Sequence, residues 1–529
     1  MIGIEGRTIG EVFREAVARA PQGDFLLAPG AAPLSYAAVA TAVEAAGTAL
    51  TAAGYGAGHR IAVCLGTTPA HYVLKLAMNG LGISFVPINP DYRPGELAYV
   101  LSDSAASLVI AGPDHAALAE AALAEMSAPP LFSLFTGTLV LPPAPTAPSG
   151  APVTPQTEAS LLYTSGTTGR PKGCILSHDY ELLMGASYLR PRGAMAVTGQ
   201  DRVFNPLPAF HVNAGVLTFL GVMLAGGTLI QPPRFSGSRF WEDCAQTRAT
   251  VFHYLGVVIS VLMADKSAGP ERLGALRAGF GAGVEPALHT GFEARFGIPL
   301  VELWGMTEMC RILSMEEEPR HPNTRAMGRA RADLEVQVWG DDGRECPRGT
   351  PGEMVIRHSA ATPRRGFFSG YLNKPEATEE AWAGGWFHTG DTVTMDEEGV
   401  IRFVDRKKNI IRRAGENIAA AEVENVLFTH PAVANVAVVP CPDETREEEV
   451  LAAIKLAPGH PATPETARAI FDAAFAELAY YKPPGWILFV EEIPVTGTQK
   501  VQKHALFAPG EDPRARPGIH DLRILKKRG

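Results

Sequence analysis

This chain is poor in cysteine, in aromatic residues and in long apolar runs, and it has no surplus of positive charge. Its six cysteines, Cys64, Cys174, Cys244, Cys310, Cys346 and Cys441, are scattered with no CxxC pair. That excludes a disulfide framework and reads as free thiols in a reducing compartment. The net charge of −9 argues against a general nucleic-acid binder, which needs a basic face. No stretch reaches the roughly 18 apolar residues that a membrane span requires, so no stable membrane insertion is expected. The segment Met1-Ile2-Gly3-Ile4-Glu5-Gly6-Arg7 lacks the charged-then-apolar layout of a secretory leader. Cytoplasmic residence is therefore the default expectation. No internal repeat is present.

What the chain does have is length and alternation. At 529 residues it exceeds one ordinary core and should divide into domains. With 46% hydrophobic and 19% charged residues it reads as globular. Val12, Phe13, Ala16, Val17 and Ala20 recur at helical spacing, predicting a helix over 8–20 that ends at Pro21. A second helix is expected over 35–53 and a third over 71–81. Strands are expected at 61–65, 84–88 and 108–111. Such alternation predicts parallel strands covered by helices. From Ser127 to Glu158 the composition turns to Pro, Ala, Thr and Ser, which reads as a surface connection. Val433 to Val439 alternates like a strand, and 465–478 is helical in pattern. The basic tail from Pro513 reads as solvated and partly disordered.

One stretch organises the rest. Tyr163 to Gly173 reads YTSGTTGRPKG. Thr164, Ser165, Thr167 and Thr168 offer hydroxyls, Gly166 and Gly169 let backbone approach a ligand, and Lys172 adds a point charge. Successive backbone N–H groups in such a loop form an anion site, and a polyphosphate is its natural ligand. The spacing is not that of a Walker A loop, and a polar turn between strands is the bland alternative. Further along, Gly279 to Pro286 reads GFGAGVEP, a strand-to-helix turn with a proline near the helix start. Glu302 to Glu308 reads ELWGMTE. Trp304 offers a π-face, Thr307 a hydroxyl, and Glu308 a hard oxygen ligand for Mg²⁺. Taken singly, Trp304 would be core and Glu308 a surface charge. Asp391, in FHTGD, could accept both hydroxyls of a ribose or simply sit in a turn.

In this order, the motifs resemble the signatures of the adenylate-forming (AMP-binding) superfamily. IIRRAGENIAAAEVE and PVTGTQKVQK look like its crotonobetaine/carnitine-CoA ligase branch. The resemblance implies an α/β fold: a large N-terminal domain of parallel and mixed sheets covered by helices (1–405) and a small mobile α+β C-terminal domain (406–529). It implies an ATP-dependent carboxylate:CoA ligase that works through acyl-AMP, using ATP, Mg²⁺ and coenzyme A. An enzyme that loads a carrier protein is the alternative, and a homodimer is left open. By the same resemblance the turn Gly283-Val284-Glu285 lies over adenine, with Trp304, Gly305 and Met306 beside it. His211 flanks the carboxylate, and Thr164 joins Glu308 at the metal. Arg406 contacts ribose, Lys408 is the hinge, Gly415 borders the pantetheine tunnel, and Lys500 catalyses adenylation. Gln499 stands where the family has glycine. Arg311 is expected in an ion pair with one of Glu316, Glu317 or Glu318, against the alternative of a substrate-selecting charge in the acyl pocket.

Overall fold

The computed structural model describes residues 2–164, 171–406, 409–413, 416–443, 447–478, 480–495, 501–508 and 510–526. The chain forms two compact units. The first holds Met1–Glu335 and Arg357–Phe387, the second Val336–Ile356 and His388–Gly529.

Local signals start the first unit. Thr8 and Glu11 form a capping box on the helix Ile9–Arg19, and the Ser35 hydroxyl accepts from Ala38 N–H at the head of Tyr36–Ala52. Proline opens the helices Pro69–Gly80 and Pro286–Phe296, where its missing N–H costs nothing.

Two mixed sheets carry this unit. In the seven-stranded sheet, Glu158–Thr164, Ser84–Pro87, Arg60–Cys64, Leu108–Ala111 and Leu131–Leu134 run parallel in that spatial order. Lys172–Ser177 and then Gly370–Tyr371 extend it antiparallel. The Pro-rich connection thus needs a correction. Leu131–Leu134 within it is an edge strand, the place in a sheet where a nearby proline is tolerated.

The eight-stranded sheet has Leu300–Met306, Ala278–Ala282, Val251–Leu255, Arg202–Phe204, Thr228–Ile230 and Asp24–Leu27 parallel at its centre. Met309–Ser314 and Leu34–Ser35 close its two ends antiparallel. Parallel strands buried on both faces read as continuous apolar runs. Phe204, Phe240, Phe252, Phe292 and Phe296 fill the core against this sheet.

The second unit contains Val400–Arg406 and, apart from the end residues Phe387, Arg357 and Glu335, the neighbouring strands Phe387–Met395, Gly352–Arg357 and Glu335–Trp339. It also contains a six-stranded sheet built from Ile410–Arg413, Glu416–Ala419, Val433–Asp443, Glu447–Leu456, Trp486–Phe489 and Ile519–Asp521. The helices Ala420–Phe428 and Pro464–Glu477 supply apolar side chains to its core.

The basic tail also departs from expectation. Ile519–Asp521 pairs with Trp486–Phe489, and the Lys526 ammonium is fully buried on Glu449 at 2.6 Å. Glu449 takes Arg413 Nε as well, at 2.8 Å. A buried ammonium survives only when paired, and Glu449 serves both cations. All six cysteines are free. Among the described residues no helix is long and apolar enough to cross a membrane.

Candidate active site

Parallel α/β sheets present their ligand sites at the carboxyl ends of the strands. Ala278–Ala282 and Leu300–Met306 run parallel, so the turn at Gly283 and the turn at Thr307–Glu308 leave the same sheet edge. Gly283 has φ +74°, the left-handed region that suits glycine. Its N–H donates to Glu302 Oε2 at 2.9 Å, and Tyr254 Oη donates to Glu302 Oε1 at 2.8 Å. Burial pushes the Glu302 carboxyl up to about 7, while the Tyr254 hydroxyl pulls the other way. Glu302 therefore holds the turn from below. Val284 is packed in the core, and Glu285 forms a two-pronged ion pair with Arg325 at 2.7 and 2.8 Å.

The ELWGMTE block is a hairpin. Trp304 faces Leu313 and Met306 faces Met309, which leaves Thr307 and Glu308 as the turn. Tyr180 Oη donates to the Thr307 carbonyl at 2.7 Å, and Phe368 N–H donates to the Glu308 carbonyl at 2.9 Å. Trp304 is 7% exposed, whereas Gly305 is exposed. Glu308 is also 7% exposed, and Tyr371 Oη donates to its Oε1 at 2.8 Å. Burial and the Glu308 charge hold the Tyr371 phenol above its ordinary range, so it remains a donor.

Tyr371 in turn sits beside the strand that leaves the glycine-rich loop. Thr164 pairs with Lys172 across the antiparallel strands that enter and leave the loop, and Tyr371 pairs with Cys174 on the next strand. Lys172 Nζ lies 4.9 Å from the centre of the Tyr371 ring, a cation–π distance. Thr164 Oγ1 lies 4.0 Å from Cys174 Sγ. Burial first, and Glu308 second, raise the Cys174 thiol well above its usual range, which keeps it neutral. Thr164, Lys172, Tyr371 and Glu308 thus converge within the first unit. Ser165, Gly166, Thr167, Thr168 and Gly169 lie outside the described residues.

His211 is half-buried on the segment before a π-helix, Asn213–Thr218, with its ring 4.5 Å from that of Phe210. Arg311 does not pair with Glu316, Glu317 or Glu318, and this expectation is corrected. Its Nε meets Asp333 at 2.8 Å and its Nη1 donates to the Arg365 carbonyl at 2.8 Å. The side chain is 7% exposed, and a buried guanidinium takes the acceptors its fold provides.

In the second unit Asp391 faces Arg406 across paired strands, with Arg406 Nε 3.4 Å from Asp391 Oδ1. Gly390 has φ +69°, and its N–H donates to Glu353 Oε1 at 3.2 Å. Asp405, next to Arg406, has a structural task. Asp405 Oδ2 accepts Ala421 N–H at 2.8 Å, in the first turn of the helix Ala420–Phe428, where a carboxylate is favoured. Val495 and Val501 pair antiparallel around the stretch that contains Lys500. Lys408, Gly415 and Lys500 themselves lie outside the described residues.

Sequence reasoning missed Tyr371 and Glu302 as partners of the site. Glu302 carried a signal, since an acidic residue at a strand centre of otherwise apolar neighbours needs a partner. Tyr371 carried none.

The AMP-binding enzyme family matches residues 13–372, and the AMP-binding enzyme C-terminal domain matches 422–500. The chain belongs to the AMP-binding enzyme family. A sulfoacetate–CoA ligase of Cupriavidus necator is 31% identical over 94% of this chain and 97% of its own length. A crotonobetaine/carnitine–CoA ligase of Citrobacter koseri is 29% identical over 89% and 92%. The ATP-bound structure of MatB from Rhodopseudomonas palustris superposes with a TM-score of 0.80 at 25% identity, covering 94% of this chain and 98% of that one.

Proposed function

We propose that this chain is an ATP-dependent carboxylate:CoA ligase that forms an acyl-AMP and then passes the acyl group to the thiol of CoA. The observation that carries this is the convergence of Lys172, Thr164, Tyr371 and Glu308 at the ends of the glycine-rich loop. Attack of a carboxylate on the α-phosphate of ATP brings two anions together, so the site must supply compensating positive charge and donors.

Lys172 and the loop amides supply part of that. Thr164 and Glu308 form an all-oxygen donor set, which fits Mg²⁺, an ion held by one or two carboxylates together with substrate phosphates. Bound there, Mg²⁺ would neutralise phosphate charge. Tyr371 keeps the Glu308 carboxylate aimed, and Tyr180 fixes the turn that carries Thr307. The Gly283–Glu285 turn and the strand end Trp304–Met306 take the adenine, Asp391 and Arg406 the ribose, and His211 the wall of the acid site.

Pyrophosphate leaves in the first half-reaction. In the second, the thiol sulfur bonds to the acyl carbon as its proton is lost, and AMP departs. We assign Lys500 to the first half-reaction and Gly415 to the second, with the chain pivoting near Lys408, at the functional boundary between 1–405 and 406–529. The free thiols support a cytoplasmic setting.

The test is a carboxylic-acid panel with ATP that includes sulfoacetate, crotonobetaine and simple fatty acids. Pyrophosphate release that depends on one acid class, and AMP release that rises with CoA, are the expected results. Acid-dependent pyrophosphate release followed by transfer to a carrier protein but never to CoA would replace the ligase reading with a carrier-loading one.

A further inference from the structure

The segment that carries His211 is held by buried polar side chains that the proposed chemistry does not use. Asn205 is fully buried just past the strand Arg202–Phe204. Its Nδ2 donates to Asn213 Oδ1 at 3.0 Å and to Thr218 Oγ1 at 2.9 Å. Asn213 and Thr218 are the two end residues of the π-helix, so a single amide nitrogen bridges it from end to end. Asn205 Oδ1 accepts Leu207 N–H at 3.0 Å. Gln231, 3% exposed, donates from Nε2 to the carbonyls of Asn205 at 2.7 Å and Leu207 at 2.8 Å, and its Oε1 accepts the Tyr72 hydroxyl. Ala209 N–H donates to Thr67 Oγ1 at 3.1 Å. The His211 carbonyl accepts Gly215 N–H at 2.8 Å, and a Cβ on Gly215 would collide with the Ala209 carbonyl oxygen. The network continues inward, since His253 Nε2 meets both Thr218 Oγ1 at 3.4 Å and Tyr188 Oη at 2.8 Å.

A π-helix is a costly local geometry that concentrates at functional sites. Buried amides of this kind are expensive to leave unpaired, and connected ones hold one arrangement against its alternatives. Here the bonds of Asn205, the two donated by Gln231 Nε2 and that of Ala209 end on the 205–213 segment, on the π-helix, or on both, while Tyr72 and Tyr188 brace Gln231 and His253 from behind. We propose that Asn205 and Gln231 are positioning residues that set which acid is accepted, by fixing the π-helix and the Phe210–His211 wall without touching the acid. This rests on the reading that His211 borders the acid site.

The experiment compares Gln231→Glu, Thr218→Val and His211→Ala with the parent enzyme on acids of graded length and polarity. Gln231→Glu replaces two donors with acceptors that face carbonyls, and Thr218→Val is close to isosteric and removes one acceptor from the Asn205 bridge. We expect Gln231→Glu to raise KM for the preferred acid about tenfold or more and to reorder the panel, the scale of one buried hydrogen-bond network left unpaired. Thr218→Val should move the panel in the same direction by a smaller factor, and KM for ATP should stay within about twofold in both, since the ATP groups lie on other strands. Should Gln231→Glu fail to fold, Thr218→Val alone decides. A panel reordered by His211→Ala but left in its parent order by the network variants overturns the positioning role, as does an equal rise in KM for acid and ATP. A panel unmoved by His211→Ala removes the His211 reading itself, and the proposal with it.

Discussion

Tyr371→Phe removes one oxygen and keeps the ring, so it separates two contacts that meet beside the strand leaving the glycine-rich loop. The lost contact is the 2.8 Å hydrogen bond from the phenol to Glu308 Oε1. The retained contact is the ring face beneath Lys172 Nζ at 4.9 Å. A hydrogen bond to a charged group contributes about 1.5–3 kcal/mol. At about 1.4 kcal/mol per factor of ten, its loss predicts a fall in the adenylation rate of roughly 10- to 150-fold. The phenol stays protonated throughout an ordinary assay range, because burial and Glu308 both raise it, so the effect should not vary with pH there. Pyrophosphate release measured across a Mg²⁺ series, together with ATP binding followed by calorimetry, reads the two consequences. The variant should need more Mg²⁺ to reach half its maximal rate. Tyr371→Leu, which also strips the ring from Lys172, should lose a further 0.5–2 kcal/mol or so, by the usual strength of a cation–π contact. A Tyr371→Phe enzyme with the parent rate and the parent Mg²⁺ dependence would show that the phenol does not aim Glu308.

Two further outcomes follow from charge. Lys500→Ala should lower acyl-AMP formation by roughly 10²-fold or more, the range for one preorganised electrostatic group, while CoA transfer from premade acyl-AMP changes far less; equal losses in both half-reactions would refute the assignment. Glu302 binds its proton up to about 7 in the folded chain, against an ordinary 4.5, because it is buried. The folded state therefore holds more protons between those values, and the stability this carries is complete below 4.5 and lost as pH rises through 7. The raised pKa corresponds to about 3 kcal/mol over that window, at about 1.4 kcal/mol per pKa unit. Glu302→Gln should flatten the decline of denaturant stability between pH 5 and pH 8, both values being approximate ends of that window, and an unchanged slope would show that Glu302 titrates normally.

The elements were legible because their signals are local. The helix Ile9–Arg19 begins at a capping residue and stops before Pro21, and the apolar runs at Arg60–Cys64 and Leu108–Ala111 are strands. A period or a cap needs only a few neighbouring residues to be read. The motif blocks were legible for a related reason. Thr164 and Lys172 come together because a loop closes between two paired strands, and Thr307–Glu308 project because a hairpin turns there.

Partners across the fold carry no such signal. The Tyr371 phenol reaches Glu308 over 63 residues, and Lys526 reaches Glu449 over 77. A run of basic residues such as the tail from Pro513 reads as solvated, since an ammonium seldom leaves water. That inference fails at Lys526 because the deciding term is pairwise. Glu449 is itself fully buried and already bound to Arg413, and a second cation adds attraction inside the same low-dielectric space. Arg311 fails in the same way. Glu316, Glu317 and Glu318 are near in sequence, but Asp333, in the turn before the strand Glu335–Trp339, is the carboxylate that the fold brings to the guanidinium. Local signals specify most of these elements, whereas charges such as Lys526 and Arg311 find the partner that meets their cost of burial far along the chain. The residues most worth changing are therefore those whose partner lies far along the chain, because there the structure asserts what no pattern in the sequence could.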